Sequence, residues 1–290
     1  MPELPEVEVL VRHLAPLVQR KIIRAVNVRR AKVLAPTTIS EFKRKLVGAK
    51  FTELSRRGKY LVFTLKARDL REPLILVGHL GMTGRMYLQP AKSPLPKHAA
   101  VVLGLGRQNF IYEDQRYFGR FTFATDGLSR LGPEPWSAEF TAESFAQSLK
   151  SSAQPVKVKL LDQALVAGVG NIYASEALFR ARISPRLAAR NLKPEQVKRL
   201  WQSVRAVLTE AIECGSTIPL NFGAARKRDG LFYYGRAATA PDYYVERLRV
   251  YDRRGEPCPV CRTAIKRITQ AARSTFYCPR CQGSQTGAGK

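Results

Sequence analysis

The stretch "CPVCRTAIKRITQAARSTFYCPRC" (258–281) sets the fold at the C-terminal end of the chain. Two Cys-x-x-Cys knuckles, Cys258–Cys261 and Cys278–Cys281, flank residues 262–277. Each knuckle presents two thiolates to one side, and together they supply four sulfurs for tetrahedral zinc. The interval suits a β-hairpin, so the segment reads as a zinc ribbon holding one structural Zn2+ ion, with no open position for water. Two disulfides or a redox dithiol are the competing readings. Only five cysteines occur in the chain, which suits a metal site in a reducing compartment better than a disulfide framework. The fifth, Cys214, reads as a buried helix residue. Lys266, Arg267 and Arg273 fall on the hairpin. An arginine at its tip either reaches a phosphate or groove or is an ordinary solvated charge.

Upstream of the ribbon, residues 216–244 form a loop-rich stretch with six aromatic residues, from Phe222 to Tyr244. Before it, "EQVKRLWQSVRAVLTEAIECG" (195–215) repeats apolar residues at helical spacing, with Gly215 as the stop. "GLSRLGPEPW" (127–136) reads as a linker. From 21 to 125 the texture is that of short strands: "KYLVFTL", "PLILVGHL", "AAVVLGL", "NFIYED" and "RFTFAT". Their density predicts a β-sandwich or barrel-like domain. A helix over 5–19 leads into it, on a stripe of Val7, Leu10, Val11, Leu14 and Val18, with Pro16 weakening the last turn. The closing "GSQTGAGK" reads as a disordered tail.

The charge balance narrows the partner. Lys and Arg number 49 against 23 Asp and Glu, a net charge of +26 at pH 7. A solvated surface alone predicts near balance, so the excess points to a polyanion: nucleic acid, or less well an anionic membrane. No basic amphipathic helix stands out, and no apolar run reaches the roughly 18 residues that span a bilayer. The N-terminus lacks the basic start and apolar stretch of a signal peptide, so a cytoplasmic location is expected.

Against this basic background the chain opens "MPELPEVE", with three glutamates. Removal of Met1 exposes Pro2 as a secondary amine. Such an α-amino group titrates about two pH units or more below lysine, so a useful fraction is unprotonated at neutral pH. It can attack an electrophilic carbon and form an iminium, with Glu3 and Glu6 as the nearest groups to move protons. The alternative is structural: acids and proline suit the first turn of a helix.

Taken together, the opening motif, "RRGKYL" (56–61), "HLGMTG" (79–84), "DQRYFG" (114–119), "LGPEP" (131–135), "LLDQALVAGVGNIYASEALF" (160–179) and the paired knuckles resemble the formamidopyrimidine-DNA glycosylase family, bifunctional glycosylase/AP lyases related to endonuclease VIII. The resemblance runs from Met1 to about Gln282, and "PELPE" favours the oxidised-purine branch. It implies an α+β multidomain fold: an N-terminal catalytic β-sandwich over 1–128, a helical domain with a helix–two-turns–helix element over 138–232, and the zinc ribbon over 247–283. It implies a monomer acting on double-stranded DNA with oxidised bases or abasic sites, in the nucleoid.

It also implies roles. Pro2 would attack C1′ of the damaged nucleotide and Glu3 would serve as acid/base. Lys59 would assist base removal and β-elimination, and Arg273 the second elimination. Glu6 and Glu176 would lie near the lesion pocket. Met82, Arg116 and Phe118 match an intercalating trio that fills the gap left by a flipped base. Apart from that match, core packing is the better reading of Met82 and Phe118. His98, Lys157 and Asn171 would contact phosphate or base, with "AGVGN" (167–171) as a cradle of backbone N–H groups opening a helix. His79 reads as a hydrogen-bonded structural histidine.

The chain departs from the family pattern in three places. Gln115 and Tyr117 stand where many relatives carry proline and a second basic residue. "KSSAQPVK" (150–157) replaces a more basic run, and 216–244, which would include the loop closing over the flipped base, is longer than usual. Two other functions compete: an endonuclease VIII-type enzyme for oxidised pyrimidines, and a non-catalytic zinc-ribbon DNA-binding protein.

Overall fold

A computed structural model describes residues 2–67, 70–215 and 248–283. The described residues up to Ser129 pack as one compact unit, and those from Arg130 to Cys214 with 248–283 pack as a second.

The first unit begins with α1 (Leu4–Val18), which carries Pro16 inside it and still runs to Val18. Its apolar stripe is buried, as the spacing predicts. Then come β1 (Ala25–Val28), a 3₁₀ turn (Ala31–Leu34) and α2 (Ile39–Leu46). Seven strands follow: β2 (Lys50–Arg57), β3 (Tyr60–Lys66), β4 (Leu74–His79), β5 (Gly84–Pro90), β6 (Ala99–Gly104), β7 (Gln108–Asp114) and β8 (Arg120–Thr122). They form two four-stranded antiparallel sheets, β1-β6-β7-β5 and β2-β3-β4-β8. The architecture is therefore a sandwich and not a closed barrel. α3 (Asp126–Ser129) occupies the start of the expected linker.

An aromatic seam joins the two sheets. Phe63 of β3 and Phe121 of β8 meet Phe110 of β7 at ring-centroid distances of 5.7 and 5.9 Å. Tyr112 of β7 meets Phe121 edge-on at 5.7 Å. Side chains alternate across each strand, so inward residues of one sheet interdigitate with those of the other. α1 lies against β2 and buries Leu10 and Leu14 there.

The second unit holds α4 (Ala142–Lys150), α5 (Val156–Leu160), α6 (Asn171–Arg180), α7 (Pro194–Glu213), β9 (Lys266–Gln270) and β10 (Arg273–Tyr277). Proline starts α7, and Gly215 just past its end has φ +80°. Gly215 is the stop read from the sequence; the proline start was not read there. Cys214 is buried at the C-cap. β9 and β10 form the expected hairpin, whose turn holds Ala271 and Ala272 at φ +47° and +58°. Helices and ribbon share one unit because Gln270 donates to the Pro185 carbonyl and Gln282 to that of Ile183. The whole 216–244 stretch, on through 247, and the tail from 284 lie outside the described residues.

Glycines set two of the loops that matter below. Gly81 has φ +61°, and a Cβ there would press on the Gly119 backbone. A Cβ on Gly119 would collide with the Tyr112 hydroxyl and the His79 carbonyl. The 79–84 and 114–119 loops thus touch through bare backbone. Gly119→Ala should destabilise the protein by about 1–3 kcal/mol, as overpacking does, read as a lower urea midpoint with an unchanged m-value.

Candidate functional site

At the N-terminus, Pro2 is buried and Glu3 and Glu6 are 1% and 2% exposed. The Glu3 N–H donates to Glu6 Oε2 at 2.8 Å, half of a capping box at the start of α1. The other half, from the Glu6 N–H to the Glu3 side chain, is present too, so the structural reading holds for both acids. It does not distinguish against chemistry at Pro2, whose ring sits at the same helix end.

Lys59 lies in the tight β2–β3 turn behind Gly58, which has φ +57°. Arg56 braces that turn: its Nη1 donates to the Gly58 carbonyl at 3.0 Å and its Nε to Glu8 Oε2 on α1 at 2.8 Å. Glu8 also accepts from Arg12 at 2.7 Å. Burial works to raise the Glu8 carboxyl, but the hydrogen bonds from Arg56 and Arg12 carry it below the usual range. α1 and the lysine turn are thereby tied together. The sequence displayed both "PEVE" and "RRGK", yet nothing in either spacing pairs Glu8 with Arg56.

Met82, Arg116 and Phe118, the residues that match the intercalating trio, lie together. Met82 and Phe118 are 45% and 49% exposed, which removes the core-packing reading for both. Arg116 Nη1 donates to Met82 Sδ at 3.1 Å, and its Cζ lies 4.6 Å from the Phe118 ring centroid. Asp114 holds the loop in place. With no exposed surface, it accepts from the Thr83 hydroxyl at 2.6 Å, the Arg116 N–H at 3.1 Å and the Gly119 N–H at 2.9 Å. Its own N–H donates to the His98 carbonyl at 3.1 Å, which brings His98 to the base of the same loop. Asp114 was visible only as the first letter of "DQRYFG".

In the second unit, Lys157 is fully buried and its Nζ donates to Asn171 Oδ1. Asn171 Nδ2 donates to the Ser274 carbonyl of β10 at 2.9 Å. Gln163 braces the turn before α6, accepting from the Gly168 N–H and donating to the Val169 carbonyl. Glu176 is buried, and its carboxylate accepts the N–H groups of Arg249, Val250 and Tyr251 at 2.9–3.0 Å. Burial pushes its carboxyl up, against the pull of those three hydrogen bonds. Arg273 is exposed beside the hairpin turn.

The cysteine site is settled by distance. Cys258 and Cys281 sulfurs are 3.8 Å apart and those of Cys261 and Cys278 3.4 Å. Both exceed the roughly 2.05 Å of a disulfide. All four sulfurs lie within 4.8 Å of one another. Zn–S bonds of about 2.3 Å in a tetrahedron place sulfurs about 3.8 Å apart, so the set fits one structural zinc ion.

Three family models match the sequence. The formamidopyrimidine-DNA glycosylase N-terminal domain matches residues 1–121, and the H2TH domain of that enzyme matches 131–221. The zinc finger found in FPG and IleRS matches 255–283. The formamidopyrimidine-DNA glycosylase of Symbiobacterium thermophilum is 44% identical, over 97% of this chain and 89% of its own length. That of Thermus thermophilus is 42% identical, over 98% and 99%.

This chain belongs to the formamidopyrimidine-DNA glycosylase family.

Solved structures agree at the level of fold. A MutM complex with DNA containing carbocyclic 8-oxo-G superposes with a TM-score of 0.84 at 31% identity, covering 98% of this chain and 100% of that one. A Lactococcus lactis FPG mutant bound to Fapy-dG DNA gives 0.84 at 32% identity, with coverage of 98% and 100%.

Within this family member His79 is structural, as read. The Gly81 N–H donates to its Nδ1 at 3.2 Å, and Tyr60 packs on its ring at 4.8 Å between centroids. Burial first, then the charges of Lys59 and Arg120, lower its pKa to about 4. The folded value is depressed, so its contribution to stability is present above the unfolded pKa near 6.5 and is lost as pH falls toward 4. An NMR titration should find the His79 imidazole neutral through pH 6. His79→Gln should flatten the fall in Tm between about pH 6.5 and pH 4.5.

Proposed function

We propose that this protein is a base-excision DNA glycosylase and AP lyase that removes oxidised purines, 8-oxoguanine and formamidopyrimidines, and cleaves the strand by β,δ-elimination. The observation that carries the reading is the full-length match to formamidopyrimidine-DNA glycosylases, with Pro2 and buried Glu3 kept at the head of α1. The solved relatives contain DNA with carbocyclic 8-oxo-G, Fapy-dG or an abasic site.

In this reading the unprotonated Pro2 amine attacks C1′, the C1′–base bond breaks and the base leaves with a proton. The proline nitrogen then loses its own proton and the sugar ring opens at C1′–O4′, O4′ taking a proton, to leave an iminium between Pro2 and C1′. Glu3 moves the protons and Lys59 assists departure and β-elimination. Arg273 promotes the second elimination, and Glu6 supports the acid pair. Met82, Arg116 and Phe118 occupy the gap left by the flipped base, a step that takes roughly a few kcal/mol. His98, Lys157 and Asn171 hold the kinked strand, and Glu176 borders the lesion pocket. We assign catalysis to 1–128, the helix–two-turns–helix element to 138–232 and the ribbon to 247–283, in a monomer acting on the nucleoid in the cytoplasm. Removal of oxidised pyrimidines is the second reading, favoured by a Lactococcus lactis relative solved with oxidised-pyrimidine DNA.

Borohydride trapping on duplexes with 8-oxoguanine opposite cytosine and with thymine glycol decides between them. An adduct on 8-oxoguanine that disappears in Pro2→Gly is the expected result. Trapping confined to thymine glycol assigns the pyrimidine branch. No adduct from zinc-loaded, DNA-binding protein that has lost Met1 leaves a DNA-binding shell without the lyase. Glu3→Gln should slow base release by about 10²–10⁴-fold, the usual contribution of a general acid–base group.

A further inference from the structure

The exit from β1 places cations beside the wedge. After Val28 pairs with Val101, the N–H groups of both Arg29 and Arg30 donate to the Ala100 carbonyl, at 2.8 and 3.1 Å. The 3₁₀ turn that follows plugs Val33 and Leu34 into the core with no exposed surface. Arg29, Arg30 and Lys32 are thus displayed outward on a short, doubly anchored stub.

That stub faces the wedge loop. Arg30 Cζ lies 5.4 Å from the Tyr117 ring centroid, and Lys32 Nζ lies 5.8 Å from that of Phe118. Phe118 therefore has two cations over its ring, Lys32 and Arg116. Tyr117 is packed against the sandwich core and held at φ +53°, a conformation that side-chain-bearing residues rarely adopt. Its ring is fixed as a pedestal, over which Arg30 places a guanidinium.

We infer that Arg30 and Lys32 form a second cationic arm of the wedge, which contacts backbone phosphates of the duplex that Met82 and Phe118 enter. The inference rests on the nucleic-acid reading above and deepens it. An exposed ring that enters a base stack brings the flanking sugar-phosphate backbone up to its sides. Two cations already held over the rings then need only side-chain rotation, and no change of backbone, to meet phosphate oxygens. Arginine offers a fork of donors and lysine a point charge, both suited to phosphate and neither dependent on base sequence. Stacking on the rings holds the two long side chains near that position before binding.

Counterion release gives a direct test. Each phosphate neutralised contributes about 0.9 to the slope of log K against log salt. Binding to a labelled undamaged duplex is measured across about 50–200 mM salt for wild type, Arg30→Gln, Lys32→Gln and the double variant. Each single change should flatten the slope by about 0.9 and the pair by about twice that. Arg30→Lys keeps the charge and should retain the wild-type slope. Arg107→Gln is the control, because Arg107 precedes the start of β7 whereas the wedge follows its end.

An unchanged slope in the double variant, with wild-type Tm, overturns the inference. So does an equal loss in Arg107→Gln, which would mean general surface charge. Excision of 8-oxoguanine by the wild type is scored separately. Its absence alongside the expected slopes removes the glycosylase reading and leaves the arm; its presence with unchanged slopes does the reverse.

Discussion

Asp114 has no exposed surface, yet it accepts two backbone N–H groups and the Thr83 hydroxyl, and among the described residues no lysine or arginine is ion-paired with it. A buried carboxylate left unsatisfied is strongly unfavourable, and hydrogen bonds to a charged acceptor are worth roughly 1.5–3 kcal/mol each. Neutral backbone donors fix the chain itself, where an ion pair would fix only two side-chain ends. The wedge depends on this. Arg116 follows Asp114 by two residues and Phe118 by four, so a carboxylate clamped to both Arg116 N–H and Gly119 N–H leaves their loop one shape. The exposed rings are held from beneath.

The same device recurs in the other places where function is assigned. Glu6 takes the Glu3 N–H and sets the entry into α1. Glu176 takes three successive N–H groups, Arg249 to Tyr251, and seats the start of the ribbon segment on α6. Glu8 is the contrast: its partners are Arg12 and Arg56. The Arg56 side chain is only 9% exposed, so this pair is far less open to screening than a surface ion pair. It bridges two elements, α1 and β2, and no backbone donor bridges them at that point.

Residues whose role is set by spacing were legible in the sequence. The paired knuckles gave the metal site, Gly215 closed α7, and strand texture gave the sandwich. Exposure of Met82 and Phe118 was legible only through the family match, since core packing is the reading of those residues alone. The staples were not legible, because a carboxylate that accepts backbone N–H groups leaves no complementary residue type at any fixed distance. Glu176 reaches Val250 across 74 positions, and Asn171 reaches Ser274 across 103. Those long links are also why the helices and the ribbon pack as one unit although composition divides them. Pro16 was read as weakening a turn, but α1 is buried against β2 and the packing carries the helix to Val18.

Charge at the head of α1 and around the 114–119 loop is sorted by depth. Glu3, Glu6 and Asp114 lie inside, while Arg29, Arg30, Lys32 and Arg116 stand outside. A polyanion approaching this surface meets the cations first, since exposed charges dominate the outer potential and buried ones are already hydrogen-bonded. The proton transfer proposed at Pro2 needs the opposite sign within reach of the amine. Acids placed on the surface would repel the phosphate backbone; acids removed altogether would leave the amine without a proton carrier. Burying them at the first turn of α1 meets both demands, because the helix end stabilises negative charge there and the rest of the surface remains free to be basic.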